Sequence, residues 1–324
     1  MRLCKGMLNK WVVFAFALAL SVALSGTSFA REWCPPYHLK PQPVRLRQYE
    51  PIFLGWSWDS YGTNKGYLDA TLSLQYPIAA DCLQDGNRFH MLPYISGTVR
   101  FSQYIGSRDS NPVVLKRFNP QVFLRYSSEQ FPTDGRSPNS YIDFQYGHES
   151  NGQSVDNQTL FDETANSVGG TENAKDYISR GWDYLGIAFK APATLGEVPL
   201  SLYLDRKWYC GCLLQRDIEE RFPFEAPRDI QSIRQVKGWR AMARYDTTNH
   251  NDLIDHFVVD LNTGTRDTFK YLTGRFEIGS GPVDEFVGVP LILWGQTGYL
   301  SDIAQYYRKA HSYGIALIFK TVPE

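Results

Sequence analysis

Apolar and polar residues along most of this chain alternate with the period of two that a β-strand imposes. Residues 67–76 show it most clearly, with Leu68, Ala70, Leu72 and Leu74 set against Asp69, Thr71, Ser73 and Gln75. Residues 94–103 repeat it, with Ile95, Gly97, Val99 and Phe101 against Ser96, Thr98, Arg100 and Ser102. Further segments at 51–58, 120–127, 141–152, 181–189, 200–205, 239–245, 257–261, 268–276, 289–299 and 313–320 bring the count to about twelve. An even number is what a closed single-chain barrel requires. Segment 268–276 fits least well, because Leu272 and Arg275 fall on the wrong faces for an apolar-out, polar-in strand.

Alternation alone does not separate an apolar face that meets lipid from one buried in a soluble β-sandwich. Two features favour lipid. Arg100, Arg240 and Arg244 sit mid-strand on the polar faces, as in a hydrated lumen, and Trp and Tyr gather near strand ends as interfacial girdles do. Composition points the same way: 20 Tyr, 19 Phe and 8 Trp accompany a polar mean hydropathy of -0.34. The expected fold class is therefore all-β, an antiparallel transmembrane β-barrel of about twelve strands with long extracellular loops. A net charge of -1 gives no reason to expect a nucleic-acid partner.

Residues 1–30 read as a cleaved signal peptide, with Arg2, Lys5 and Lys10 ahead of an apolar run at 11–24 and a Ser28-Phe29-Ala30 cleavage site. The other reading, a membrane anchor, needs a longer apolar run. Residues 31–50 are Pro-rich and extended, a lead-in or plug-like segment, and 51–324 form the barrel, giving an exported outer-membrane protein. Segments 59–66 and 129–139 carry turn chemistry. The insertion 155–178 would overhang whatever lies between its flanking strands, and 212–233 is a second excursion with a short helix expected around 217–221. Cys34, Cys82, Cys210 and Cys212 remain after the signal, in a compartment that permits disulfides, with pairing open; Cys210-Gly211-Cys212 lacks a companion for a metal site.

The candidate chemistry lies on two of these strands. Ile142, Phe144 and Tyr146 share a face that ends in His148 and Ser150, and Leu185, Ile187 and Phe189 share a face with Asp183. A nucleophile, a base and a carboxylate thus stand on the apolar side, which suits a substrate that is itself lipid. Residues two apart rise together by roughly 6.6 Å, so imidazole can take the Ser150 proton while Asp183, on a neighbour about 4.8 Å away, orients the ring. No G-x-S-x-G elbow of soluble lipases occurs. A lone His-x-Ser is a weak signal, and interfacial polar residues account for most such pairs.

The longer run His148-Glu149-Ser150-Asn151-Gly152, followed by Ser179-Arg180-Gly181-Trp182, resembles the signature of the outer-membrane phospholipase A family. A weaker similarity extends over most of the mature chain, including Asn119-Pro120-Gln121-Val122-Phe123 and 295–298. The resemblance implies Ser150 as nucleophile, His148 as base, Asp183 in place of an orienting asparagine, and the Gly152 amide as an oxyanion donor. It also implies calcium, held by Ser179, by the backbone carbonyl of Gln153 and by Ser110 of a second copy in an active homodimer. Hydroxyl and carbonyl oxygens are suitable hard ligands, and few charges imply modest affinity. The chain departs from the family at Asp183, in the long 155–178 insertion, and in ending on Lys320 to Glu324 after Phe319. The expected activity is calcium-dependent hydrolysis of glycerophospholipid acyl esters. A non-catalytic barrel, either porin or structural protein, and an inactive relative are the competing readings.

Overall fold

The computed structural model describes residues 46–60, 66–78, 91–106, 112–128, 138–210, 221–247, 252–300 and 302–319. Every alternating segment becomes a strand. They are β1 (Arg47–Gln48), β2 (Ile52–Asp59), β3 (Gly66–Pro77), β4 (Met91–Gln103), β5 (Val113–Tyr126), β6 (Tyr141–Ser150) and β7 (Gly181–Leu195). Then follow β8 (Val198–Cys210), β9 (Gly238–Asp246), β10 (His256–Gly264), β11 (Thr273–Gly279), β12 (Leu291–Gly298) and β13 (Ala310–Phe319). From β2 to β13 each strand pairs antiparallel with the next, and β13 returns to β2 through Ser312 opposite Asp59, closing a twelve-stranded transmembrane barrel. The two-residue β1 adds to β3 below β2. No described helix is long and apolar enough to cross a membrane.

The wall is polar inside and apolar outside. On β3, Asp69 and Ser73 are fully buried toward the lumen while Leu72 is 49% exposed on the opposite face. Phe144, Leu204 and Leu293 are likewise exposed, so the large apolar side chains point away from the protein and need hydrocarbon around them. Inside, charges are paired: Arg100 forks onto Asp69 at 3.1 and 2.8 Å, and Arg125 onto Asp143 at 2.7 Å through both nitrogens. A lumenal cavity of about 180 Å³ is lined by Glu50, Arg117, Glu149, Lys207 and Arg240, among others. Tyr49 and Glu50, just after β1, enter this interior, Tyr49 against Phe123 and Glu50 facing Arg240 at 3.4 Å.

Residues 151–180 and the described part of the second loop, 221–237, connect strands at the same end, here the upper end; β2 starts and β13 finishes at the lower end. The 155–178 insertion is a folded cap. It contains α1 (Gln158–Ser167) and α2 (Thr171–Ala174), and Asn157 caps α1 by accepting from the Leu160 amide. Phe161 and Ala165 of α1 bury against Val155, Ala174 and Ile178, with Phe224 of the second loop stacked on Phe161 at 4.9 Å. α3 (Ile233–Val236) ends the second loop, and α4 (Gly281–Val287) fills the lower turn between β11 and β12.

Several strand boundaries differ from the sequence expectation, and the start of β11 is the one that changes the reading of faces. β11 begins at Thr273, because the chain turns before it through Asp267 and Phe269, both at positive φ. Leu272 thus precedes the strand, and Arg275 points inward to Glu277 at 2.6 Å, which removes the misfit of faces. Residues 1–45, 79–90, 129–137, 211–220 and 320–324 lie outside the described residues. With them go the signal peptide, most of the lead-in, Cys34, Cys82, Cys212 and most of the expected 217–221 helix.

Candidate active site on the outer wall

β6 and β7 pair so that His148 stands directly across from Asp183, and Ser150 across from Gly181. All four lie on the outward face, above Phe144 and Ile187. His148 Nδ1 is 2.8 Å from Asp183 Oδ1, so the Nδ1 proton is donated to the carboxylate and Nε2 keeps its lone pair. Gly181 makes room beside both His148 and Ser150: a Cβ placed there would lie 3.4 Å from Ser150 Cβ and 3.5 Å from His148 Nε2. Asp183 is wholly covered while the His148 side chain keeps 20% exposure. The carboxylate is therefore shielded and the working edge of the ring stays open to the outside. Cys210, on the far side of Asp183, is disulfide-bonded and so is no metal ligand.

The inner face of the same strand holds it still. Glu149, between the base and the nucleophile, points into the lumen and takes Arg117 Nε at 2.7 Å, Tyr209 Oη at 3.1 Å and the Lys237 ammonium. Gly147 leaves space for the Tyr184 hydroxyl, which a Cβ would approach to 2.4 Å. That hydroxyl passes beneath β6 and sits 2.9 Å from both Asn119 Oδ1 and Gln121 Oε1 on β5, donating to one of them. On the outer side, the β5–β6 register of Phe118 with Ser150 and Gln121 with Gly147 places Pro120 opposite His148. Proline has no N–H to give, and the ladder skips that rung.

Beyond Ser150 the chain turns through Gly152 at φ 59°, a left-handed conformation that favours glycine, with Phe118 3.1 Å from where a Cβ would be. Asn151 is the clamp of this turn. Its buried amide donates to the Ile178 carbonyl at 2.7 Å and accepts from the amides of Arg180 at 2.9 Å and Gln153 at 3.3 Å. It thereby ties the segment after the nucleophile to the segment before β7. The Ser179 amide adds a 2.8 Å bond to the Val155 carbonyl, and Val155 pairs with Ile178 as an isolated bridge. The insertion thus leaves and rejoins the barrel at one point, which is why its length does not separate the two halves of the site.

Gln153 and Ser179 therefore flank a common anchor. Among the described residues nothing donates to the Gln153 carbonyl, and the Ser179 hydroxyl has no partner, so both oxygens are available to a hard cation. No group of three or more His, Cys, Asp or Glu side chains forms a metal site among the described residues, so a cation here would rest on hydroxyl and carbonyl oxygens. Ser110 lies outside the described residues. Arg180 anchors the loops above: it donates to Glu225 at 2.5 Å and to the Ala304 carbonyl at 3.2 Å. Burial opposes the Glu225 charge, but the Arg180 hydrogen bond and charge, the Phe222 amide and Arg228 outweigh it and hold this carboxyl below the ordinary range.

Several of these supporting roles were not assigned from sequence. Asn151, Gly181 and Pro120 lie in segments whose pattern stands out in the sequence, but only the folded structure shows what they touch. Glu225 and Tyr184 act across long stretches of chain and leave no local signal.

No protein-family model matches this chain, and no curated protein sequence does. Its fold does match solved structures. Outer membrane phospholipase A from Escherichia coli superposes with a TM-score of 0.59 at 14% identity, over 87% of this chain and 95% of that one. The Salmonella typhi outer membrane phospholipase, a dimer with bound calcium, gives 0.57 at 15% identity, over 87% and 94%. At such identity the likeness concerns the barrel fold.

Proposed function

We propose that this chain is a calcium-dependent phospholipase of the bacterial outer membrane, hydrolysing acyl esters of glycerophospholipids on its lipid-facing wall. The observation that carries the reading is the outward-facing trio: His148 bonded to Asp183 at 2.8 Å and cross-strand from it, with Ser150 two residues along the same face and both side chains beside Gly181. The matching barrel of known phospholipases supports a scaffold of this kind, and the trio supplies the chemistry.

Lipid reaches such a site by lateral diffusion, since the ester lies beside the wall. Ser150 Oγ attacks the ester carbonyl as His148 Nε2 takes its proton, and the buried Asp183 stabilises the imidazolium that forms. The oxyanion is met by the Gly152 amide. Collapse breaks the bond to the alcohol, which leaves as lysophospholipid with the proton from His148. Water, deprotonated by the same ring, then cleaves the Ser150 acyl ester and releases fatty acid. Ser179 and the Gln153 carbonyl would hold calcium, joined by Ser110 of a second copy in a homodimer. A cation held by these oxygens would supply positive charge that favours the negative charge developing on the ester.

The test is release of fatty acid from phospholipid micelles by the purified protein, with calcium and with chelator. Calcium-dependent release that Ser150→Ala abolishes, with heat-modifiable migration of the barrel unchanged, is the expected result. Release that persists in Ser150→Ala overturns the nucleophile. No release from either protein, with solute flux through liposomes instead, favours a porin.

A further inference from the structure

On β8 the outward residues run Leu202, Leu204, Arg206 and Trp208, a cation within the lipid-facing row. Arg206 pairs across the ladder with Trp239, the second residue of β9, so it lies toward the upper end of these strands among tryptophans, the residue type that gathers where a membrane meets water. Its guanidinium carbon is 4.9 Å from the Trp208 ring centroid and 4.6 Å from that of Trp239, and both indoles are themselves exposed to the outside. Gly238 leaves space beside it: a Cβ there would lie 3.4 Å from Nη1. Among the described residues no oxygen accepts a hydrogen bond from Arg206, and its Nη1 is buried without a partner.

A charge on the lipid face is costly, and such residues elsewhere on barrels are paired or reach for water. Here the side chain is held by two aromatic faces, which fix a planar cation but satisfy none of its N–H groups. Nη1 is buried and out of a ligand's reach, and what stays open is the Nε–Nη2 edge, a fork suited to a tetrahedral oxyanion. We propose that Arg206, Trp208 and Trp239 form a binding site for the phosphate of an outer-leaflet lipid. The site is separate from the catalytic trio, because Arg206 faces Ile187 of β7 whereas Asp183 faces Cys210, four residues further up β8. It does not depend on the chain being an enzyme.

Two membrane lipids carry this chemistry: a glycerophospholipid, through its phosphodiester, and a phosphorylated glucosamine glycolipid, through its phosphomonoester. Full-length Ser150→Ala protein, which cannot consume the ligand by the proposed route, would be folded in an uncharged alkyl glycoside micelle. It would then be titrated with short-chain phosphatidylglycerol, the monophosphorylated glycolipid and a diacylglycerol of equal chain length, and bound lipid counted by native mass spectrometry. The expected result is that at least one phosphorylated lipid binds at tenfold or more lower concentration than diacylglycerol, the tighter one naming the source. Adding Arg206→Gln should bring all three together, and Arg206→Lys should recover part of the difference. Equal binding of all three lipids by the Ser150→Ala parent, or a phosphate preference that survives Arg206→Gln, overturns the assignment. Heat-modifiable migration confirms that each variant is folded.

Discussion

The role given to Asp183 is open to a graded test. Its carboxylate is fully buried and, among its contacts, accepts the 2.8 Å bond from His148 Nδ1. A hydrogen bond to a charged acceptor contributes about 1.5–3 kcal/mol and a neutral one about 0.5–1.5 kcal/mol. Asp183→Asn keeps an oxygen at the same place and loses the charge, about 1–1.5 kcal/mol, so turnover should fall about five- to tenfold. Asp183→Ala loses the acceptor altogether, about 1.5–3 kcal/mol, and frees the ring to adopt the unproductive tautomer; turnover should fall roughly ten- to 150-fold or further. Neither change should unfold the barrel, since removing a buried carboxylate also removes its desolvation cost. The assay is fatty-acid release at saturating calcium and substrate, with heat-modifiable migration as the control for folding. Turnover of Asp183→Ala within threefold of the parent would refute the reasoning.

Other expectations follow from the site's supports. Asn151→Ala orphans the Gln153 and Arg180 amides and the Ile178 carbonyl, each worth about 1–3 kcal/mol if left unmet. Activity should drop at least tenfold and the calcium midpoint should rise, both read by titrating calcium in the lipase assay. Glu225 is held below the usual carboxylate range, so its stabilisation is complete above its unfolded value, near pH 4.3, and is lost as pH falls through the lower folded value. Protection of residues 221–230 from hydrogen exchange, taken relative to the intrinsic rate at each pH, should therefore fall below about pH 4, and Glu225→Gln should show the lowered protection at neutral pH. Leu72, 49% exposed at mid-strand, should meet the membrane core, and Leu72→Arg should cost about 2–4 kcal/mol in urea unfolding from vesicles. A loss under 0.5 kcal/mol would place that face elsewhere.

Most of the barrel was legible because a period of two is imposed on each strand separately, and lipid outside with water inside keeps both faces in register with it. All twelve expected segments became strands, and His148, Ser150 and Asp183 fell on the face their neighbours implied. What was hidden depends on partners far along the chain. β5 begins at Val113, seven residues before the segment read from sequence, because Pro120 looks like a start but sits mid-strand where β6 needs no donor. The insertion looked like an open loop from its Gly, Asn and Ser content. Its fold rests on Phe161 meeting Phe224, a contact between two loops that neither loop announces. Arg206 lies one residue beyond the alternating segment 200–205, where a cation interrupts the apolar row.

The central claim is that Ser150 is a nucleophile exposed to lipid, and covalent trapping addresses it most directly. The folded protein would be treated with a long-chain alkylsulfonyl fluoride in calcium, digested and sequenced by mass spectrometry. The account predicts a sulfonyl adduct on Ser150 alone, suppressed by His148→Ala. An adduct on another residue, or none at Ser150 in a preparation that is releasing fatty acid, would contradict it.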